Sequence, residues 1–228
     1  MMWNGCTNKP LTGVIFDKDG TLLEVEQFWC AVYQYAISVF LEIDAEQRIK
    51  IYENIGINEN GLVRNSLAVM GSVKEIWMAL KAAIEAPIKS LEIFEALVKE
   101  GVHRYISLVS FMSPSVPTFL DTLKNQGIYI ALITTDSRAN TEYMLKTFEI
   151  FHHFDYIGCS DDKLSPKPAI DHGLAFVDKY QLLTHEMLMV GDSIYDAMFA
   201  ERLNMGFAEI RNAEDFEALK NKKRALIC

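Results

Sequence analysis

Cysteine, long apolar runs and net positive charge are all scarce in this chain of 228 residues. Its four cysteines, Cys6, Cys30, Cys159 and Cys228, are scattered. They have neither the paired spacing of a zinc site nor the density of a disulfide scaffold, so free thiols are expected. No segment reaches about 18 uninterrupted apolar residues, which argues against a membrane-spanning helix. Met1 to Pro10 lacks the basic start and apolar stretch of a secretory signal. The expectation is a soluble cytoplasmic protein whose first ten or so residues are a loose lead-in. The formal net charge is -9, which opposes general binding to nucleic acid or to an anionic membrane, because phosphate backbones are held by clustered Lys and Arg. A small ligand stays open, since a local site can be cationic within an acidic protein. No internal repeat or low-complexity tract stands out, and with 50% hydrophobic residues the chain can bury a full core.

What is present is acid placed behind apolar runs. Asp17-Lys18-Asp19-Gly20-Thr21 follows Gly13-Val14-Ile15-Phe16, and Gly191-Asp192-Ser193-Ile194-Tyr195-Asp196 follows Met187-Leu188-Met189-Val190. A short apolar run without alternation reads as a strand buried on both faces, as in a parallel sheet covered by helices. Polar residues where such strands stop sit in the crevice at the sheet's carboxyl edge. Carboxylates gathered there repel one another, and a hard divalent cation with oxygen ligands relieves that repulsion. Mg2+ fits best.

Between these segments the pattern changes. Phe28, Val32, Tyr35, Ala36, Val39 and Phe40 recur at helical steps, and helices are expected over 46–55, 74–84 and 91–108, with a turn-rich stretch at 56–61. None of this stretch has strand character. About ninety residues thus separate the first strand from the next strong one, far more than a crossover needs. Helix and strand then alternate: helices over 116–126, 139–148, 169–180 and 194–203, strands over 128–133, 154–157, 187–190 and 206–210. The expected fold is α/β, a Rossmann-like doubly wound parallel sheet with an inserted all-helical cap domain. The core would comprise residues 1–23 and 113–228, and the cap 24–112.

Four ordered segments carry a family resemblance. Asp17-x-Asp19-Gly20-Thr21-Leu22, Thr134 at the end of Ile130-Ala131-Leu132-Ile133, Lys167 within Ser165-Pro166-Lys167-Pro168, and Gly191-Asp192-Ser193 with Asp196 resemble the motifs of the haloacid dehalogenase superfamily. The likeness spans roughly Val14 to Ile210 and is closest to the branch of phosphoglycolate phosphatase and beta-phosphoglucomutase. It implies that Asp17 is a nucleophile forming an aspartyl-phosphate. Asp19 would act as general acid and then base, a residue that dehalogenases of the family lack. Thr134, Thr135 and Lys167 would bind phosphate; the family usually has Asn where Thr135 stands. Lys163 competes with Lys167 for the cationic role. Asp17, the backbone carbonyl of Asp19, and Asp192 would hold Mg2+, with Asp196 supporting the metal or Lys167 from behind.

The resemblance therefore implies a Mg2+-dependent phosphatase of small phosphorylated metabolites, with phosphoglycolate as the leading substrate. A phosphomutase and a catalytically silent phosphate-binding regulatory protein are the alternatives. In the cap, Arg64 is the candidate partner for a substrate carboxylate, and Phe28, Trp29 and Trp77 are candidate substrate neighbours. His152 and His153 are assigned no role, and monomer or homodimer stays undetermined.

Overall fold

A computed structural model describes residues 3–4, 10–84 and 88–226. Cys6 and Cys228 fall outside them. In chain order, β1 (Trp3–Asn4), β2 (Gly13–Phe16) and β3 (Leu23–Glu24) are followed by α1 (Glu26–Phe40), α2 (Ala45–Ile55), β4 (Ile57–Asn58), β5 (Gly61–Leu62), α3 (Leu67–Met70), α4 (Val73–Ala83) and α5 (Leu91–Tyr105). Then come β6 (Ser110–Phe111), α6 (Val116–Asn125), β7 (Tyr129–Ile133), α7 (Arg138–Thr147), β8 (Tyr156–Gly158), α8 (Asp171–Tyr180), β9 (Met187–Gly191), α9 (Ile194–Arg202), β10 (Gly206–Glu209) and α10 (Ala213–Leu226). The chain divides into two compact units, Met1–Glu24 with Phe111–Cys228, and Val25–Ser110.

The first unit carries a six-stranded sheet in the order β1-β10-β9-β2-β7-β8. All neighbours are parallel except β1 with β10. Successive side chains of a strand point to opposite faces, and the core follows that rule. Ile15, Ala131, Ile133, Met187 and Met189 pack with Phe176 of α8, Phe199 of α9 and Leu203 just after it. Phe16 points the other way and meets Phe119 of α6 edge-on at 6.3 Å, which in turn meets Phe216 of α10 at 5.5 Å. Such double cover is what the unbroken apolar runs require.

Two sequence expectations need correction here. The lead-in is partly a strand: Trp3 pairs with Ala208 and Asn4 with Phe207, an edge too short to show periodicity. Strand β8 begins two residues later than expected, because Phe151–His153 forms a 3-10 turn just before it.

The second unit is mainly helical. Helices α2 and α4 each open on a capping box, Asp44 with Gln47 and Ser72 with Glu75, which satisfies otherwise orphaned amides. Phe28, Val32, Ile37 and Phe40 of α1 and Phe94, Val98 and Val102 of α5 are buried, with the Phe40 and Phe94 rings 5.0 Å apart. Contrary to the expectation of no strand character, Ile57 pairs with Leu62 and Asn58 with Gly61 in a small antiparallel hairpin. Its two-residue strands begin inside the stretch expected only to turn, with Leu62 just beyond it. Among the described residues, no helix is long and apolar enough to cross a membrane.

Candidate active site

Register brings the site residues to one edge. Phe16 lies opposite both Leu132 and Val190, so Asp17, Ile133 and Gly191 are level, with Thr134 and Asp192 one step further on. The Asp17 amide donates to Val190 O at 2.9 Å and the Thr134 amide to Gly158 O at 3.0 Å. Three adjacent parallel strands thus end together, each delivering a polar residue.

Lys167 joins two of the carboxylates. Its Nζ donates to Asp17 Oδ1 at 2.5 Å and to Asp196 Oδ1 at 2.6 Å. All three residues are buried, at 5% exposure for Lys167, 7% for Asp17 and 0% for Asp196. Asp196 is held by its own helix: its Oδ2 accepts from the Ser193 amide at 3.0 Å and the Ser193 hydroxyl at 2.6 Å, completing the capping box of α9. Gly191 permits this approach, since a Cβ there would meet Asp196 Cγ at 2.4 Å.

Burial dominates the electrostatics. It pushes the Asp17 carboxyl up to about 7, against the lowering effect of Lys167. On Lys167 burial acts downward, but Asp17 and Asp196 outweigh it and hold the ammonium above its ordinary range. Lys163, the competitor, is exposed.

One oxygen each from Asp17, Asp192 and Asp196 lies within 4.8 Å of the others. An all-carboxylate donor set at this spacing suits a hard divalent cation, and few carboxylates are what Mg2+ takes. Both Asp196 oxygens are already engaged, by Lys167 and by Ser193, so Asp17 and Asp192 are the better donors of the three. Gly20 sits at φ 77°, and a Cβ on it would lie 2.6 Å from Asp192 Oδ2. The turn after β2 therefore needs glycine both for its backbone and for room beside Asp192.

Asp19 faces a different cation. Lys18, fully buried at 0% exposure, places Nζ 2.8 and 2.9 Å from the two Asp19 carboxylate oxygens and 3.0 Å from Asp136 Oδ2. Burial acts to lower the Lys18 pKa, yet the two carboxylates raise it overall. Asp136 Oδ1 accepts from the Ser137 amide at 2.7 Å and from Asn140 Nδ2 at 3.1 Å. Thr134, 2% exposed, accepts the Asp136 amide on its hydroxyl oxygen at 3.2 Å, which leaves the hydroxyl proton to donate. Thr135 beside it is half-buried.

Sequence reasoning missed Lys18, Asp136 and Asn140 as parts of the site. The signals available were a lysine between two motif aspartates and an acidic residue just before the Ser137 cap of α7.

The other candidates lie on other elements. Arg64 is exposed on the helical unit, between β5 and α3. Phe28 and Trp29 are buried, with Trp29 stacked on Tyr33 at 5.4 Å, and Trp77 donates Nε1 to Lys89 O at 3.1 Å. His153 is buried, with Nε2 3.0 Å from Asp121 Oδ1. Both described cysteines are free thiols. Burial pushes the Cys159 thiol up to about 12, which leaves it protonated and unreactive.

Comparison with known proteins gives this geometry a context. The family model described as haloacid dehalogenase-like hydrolase matches residues 14–210. Phosphoglycolate phosphatase of Vibrio cholerae is 26% identical over 194 residues, covering 85% of this chain and 81% of its own. A protein of Caldanaerobacter subterraneus subsp. tengcongensis named "Putative pyrophosphatase PpaX" is 26% identical over 216 residues, covering 93% and 88%. Among solved structures, that of a predicted phosphoglycolate phosphatase from Haemophilus somnus superposes with a TM-score of 0.67 at 19% identity, covering 90% of this chain and 86% of the other. At that identity the likeness is one of fold.

Proposed function

This chain belongs to the haloacid dehalogenase-like hydrolase family, and on that premise we propose that it is a Mg2+-dependent phosphatase of small phosphate monoesters working through an aspartyl-phosphate on Asp17. The observation that carries the reading is the buried Lys167 bridging Asp17 and Asp196. A nucleophilic carboxylate that must approach a phosphate dianion needs a fixed cation beside both, and phosphoryl transfer is catalysed mainly by such positioning and charge stabilisation.

In the first step an Asp17 oxygen attacks phosphorus, the ester P–O bond breaks, and the departing alkoxide takes a proton from Asp19. In the second step Asp19 accepts a proton from water as that water attacks the acyl-phosphate, which frees Asp17 and inorganic phosphate. Thr134, Thr135 and Lys167 hold the phosphoryl oxygens, and Asp196 fixes Lys167. Asp17, the Asp19 carbonyl and Asp192 are the residues that would hold Mg2+, whose charge when bound offsets that of carboxylates and phosphate.

The helical unit is proposed as a cap that selects the leaving group, with Arg64 as the partner of a substrate carboxylate. The planar fork of Arg matches a carboxylate in a bidentate pair. That chemistry, with the Vibrio cholerae relative, makes phosphoglycolate the leading substrate. The pyrophosphatase-named relative, matched over most of this chain, puts pyrophosphate second.

The test is release of inorganic phosphate from phosphoglycolate, pyrophosphate, sugar phosphates, nucleoside monophosphates and pyridoxal phosphate, with Mg2+ or with excess EDTA. Release should need Mg2+ and disappear in a folded Asp17→Asn variant. Wild-type turnover in that variant would overturn the mechanism.

A further inference from the structure

A lysine between two acidic turn residues is ordinarily solvated. Lys18 is instead completely buried, and burying an ammonium is costly unless it is paired and hydrogen-bonded. One buried carboxylate, Asp136, would match its single charge. The geometry provides two: Nζ stands 3.0 Å from Asp136 Oδ2 and grips both Asp19 oxygens, at 2.8 and 2.9 Å. Met144 Sδ of α7 lies 3.2 Å from the same nitrogen, so the ammonium is held from the α7 side as well.

The anchor is rigid at its far end. Asp136 is tied to the first turn of α7 through the Ser137 amide and the Asn140 side chain, and the Ser137 hydroxyl accepts from the Asn140 amide at 3.3 Å. Side chains locked this way hold what they touch to a narrow geometry, as a supporting shell must. Asp19 is the open end of the chain, with 22% of its side chain exposed. A carboxylate has about four lone-pair positions, and Lys18 engages each oxygen once.

We infer that Lys18, anchored by Asp136 and the start of α7, is a positioning residue that aims the Asp19 carboxyl group at the leaving oxygen. This rests on the role of Asp19 proposed above. Lys18 acts through the Asp19 carboxyl group. Its contribution should therefore matter most where the leaving group needs a proton: an aliphatic alkoxide does, whereas p-nitrophenolate leaves without one.

The experiment compares Mg2+-supported kcat/KM for the alkyl phosphate ranked first by the substrate panel with that for p-nitrophenyl phosphate. It uses the wild type, Asp19→Asn, Lys18→Met and the double variant Lys18→Met/Asp136→Asn. The double variant removes the buried Asp136 charge that the single one strands. Thermal unfolding of each protein reports folding.

Asp19→Asn should lower kcat/KM, which reads only the steps up to phosphorylation of Asp17, by about 10²–10⁴-fold on the alkyl ester and far less on the aryl ester. Both Lys18 variants should shift the alkyl-to-aryl ratio of kcat/KM the same way, by about tenfold. Folded Lys18 variants that lose both activities by one common factor would reduce Lys18 to a structural ion pair and overturn the inference. So would failure of both Lys18 variants to fold. Equal losses of kcat/KM on the two esters in Asp19→Asn would overturn the acid role of Asp19 itself, and the inference with it.

Discussion

Lys167 is a cation surrounded by acid and almost free of water, and its worth to the protein has two separable parts. Removing one partner of a buried pair strands the other, at a cost of about 3–5 kcal/mol, and here Asp17 and Asp196 are both stranded. In addition, Lys167 lowers an Asp17 pKa that burial has pushed up to about 7. Loss of a lowering influence leaves that pKa higher, so Asp17 is ionised only at higher pH. Lys167→Met is therefore expected to cut phosphate release by about 10²–10³-fold, to lower resistance to urea, and to move the acid limb of the pH–rate profile upward. A folded variant with the wild-type limb would separate Lys167 from Asp17 in function.

At the scale of elements, the strand ends and helix starts do the positioning. The α9 capping box holds Asp196, and the start of α7 holds Asp136. Strand β8 and helix α8 supply a different consequence: His172, 2% exposed, lies with Nδ1 2.8 Å from the Tyr156 hydroxyl. Burial lowers its pKa from 6.5, with Asp162 and Asp171 opposing and Arg138 reinforcing the shift. The unfolded chain therefore binds this proton at a higher pH than the folded one, and stability falls as pH drops below about 6.5. Urea unfolding at about pH 7.5 and about pH 5.5 should show a smaller acid loss in His172→Gln than in the wild type. Identical losses would mean that His172 is not the group responsible. These elements were unequally legible beforehand. Strands β2, β7 and β9 announce themselves as apolar runs, and the carboxylates directly behind β2 and β9 mark the sheet edge. Hairpin β4–β5 and edge strand β1 are too short for any period to show. The Lys18–Asp136 pair joins residues 118 positions apart, and a lysine's burial depends on a partner that only the β2–β7 register brings near.

For the molecule as a whole, acid is concentrated twice: in the net charge of -9 and in the carboxylates of one edge. Folding brings Asp17 and Asp192 together, so the folded state pays a repulsion that the unfolded chain, with those groups dispersed, avoids. A cation that binds the assembled pair and not the dispersed one must then stabilise the fold by RT ln(1 + [L]/Kd), about 2.7 kcal/mol when Mg2+ stands at about 100 times its Kd. For a chain of this size each 1 kcal/mol moves the unfolding midpoint by about 2–4 °C, so Mg2+ should raise it by roughly 5–11 °C. Asp192→Asn removes a donor together with some of the repulsion. It should raise stability in EDTA and abolish most of the Mg2+-induced rise, in thermal unfolding followed by circular dichroism at constant ionic strength. Potassium chloride at the same ionic strength separates specific binding from screening, because it damps the net charge but cannot bridge two carboxylates. An equal rise with either salt, or one that survives Asp192→Asn, would place the stabilising effect on the general surface charge and take Asp192 out of the metal site.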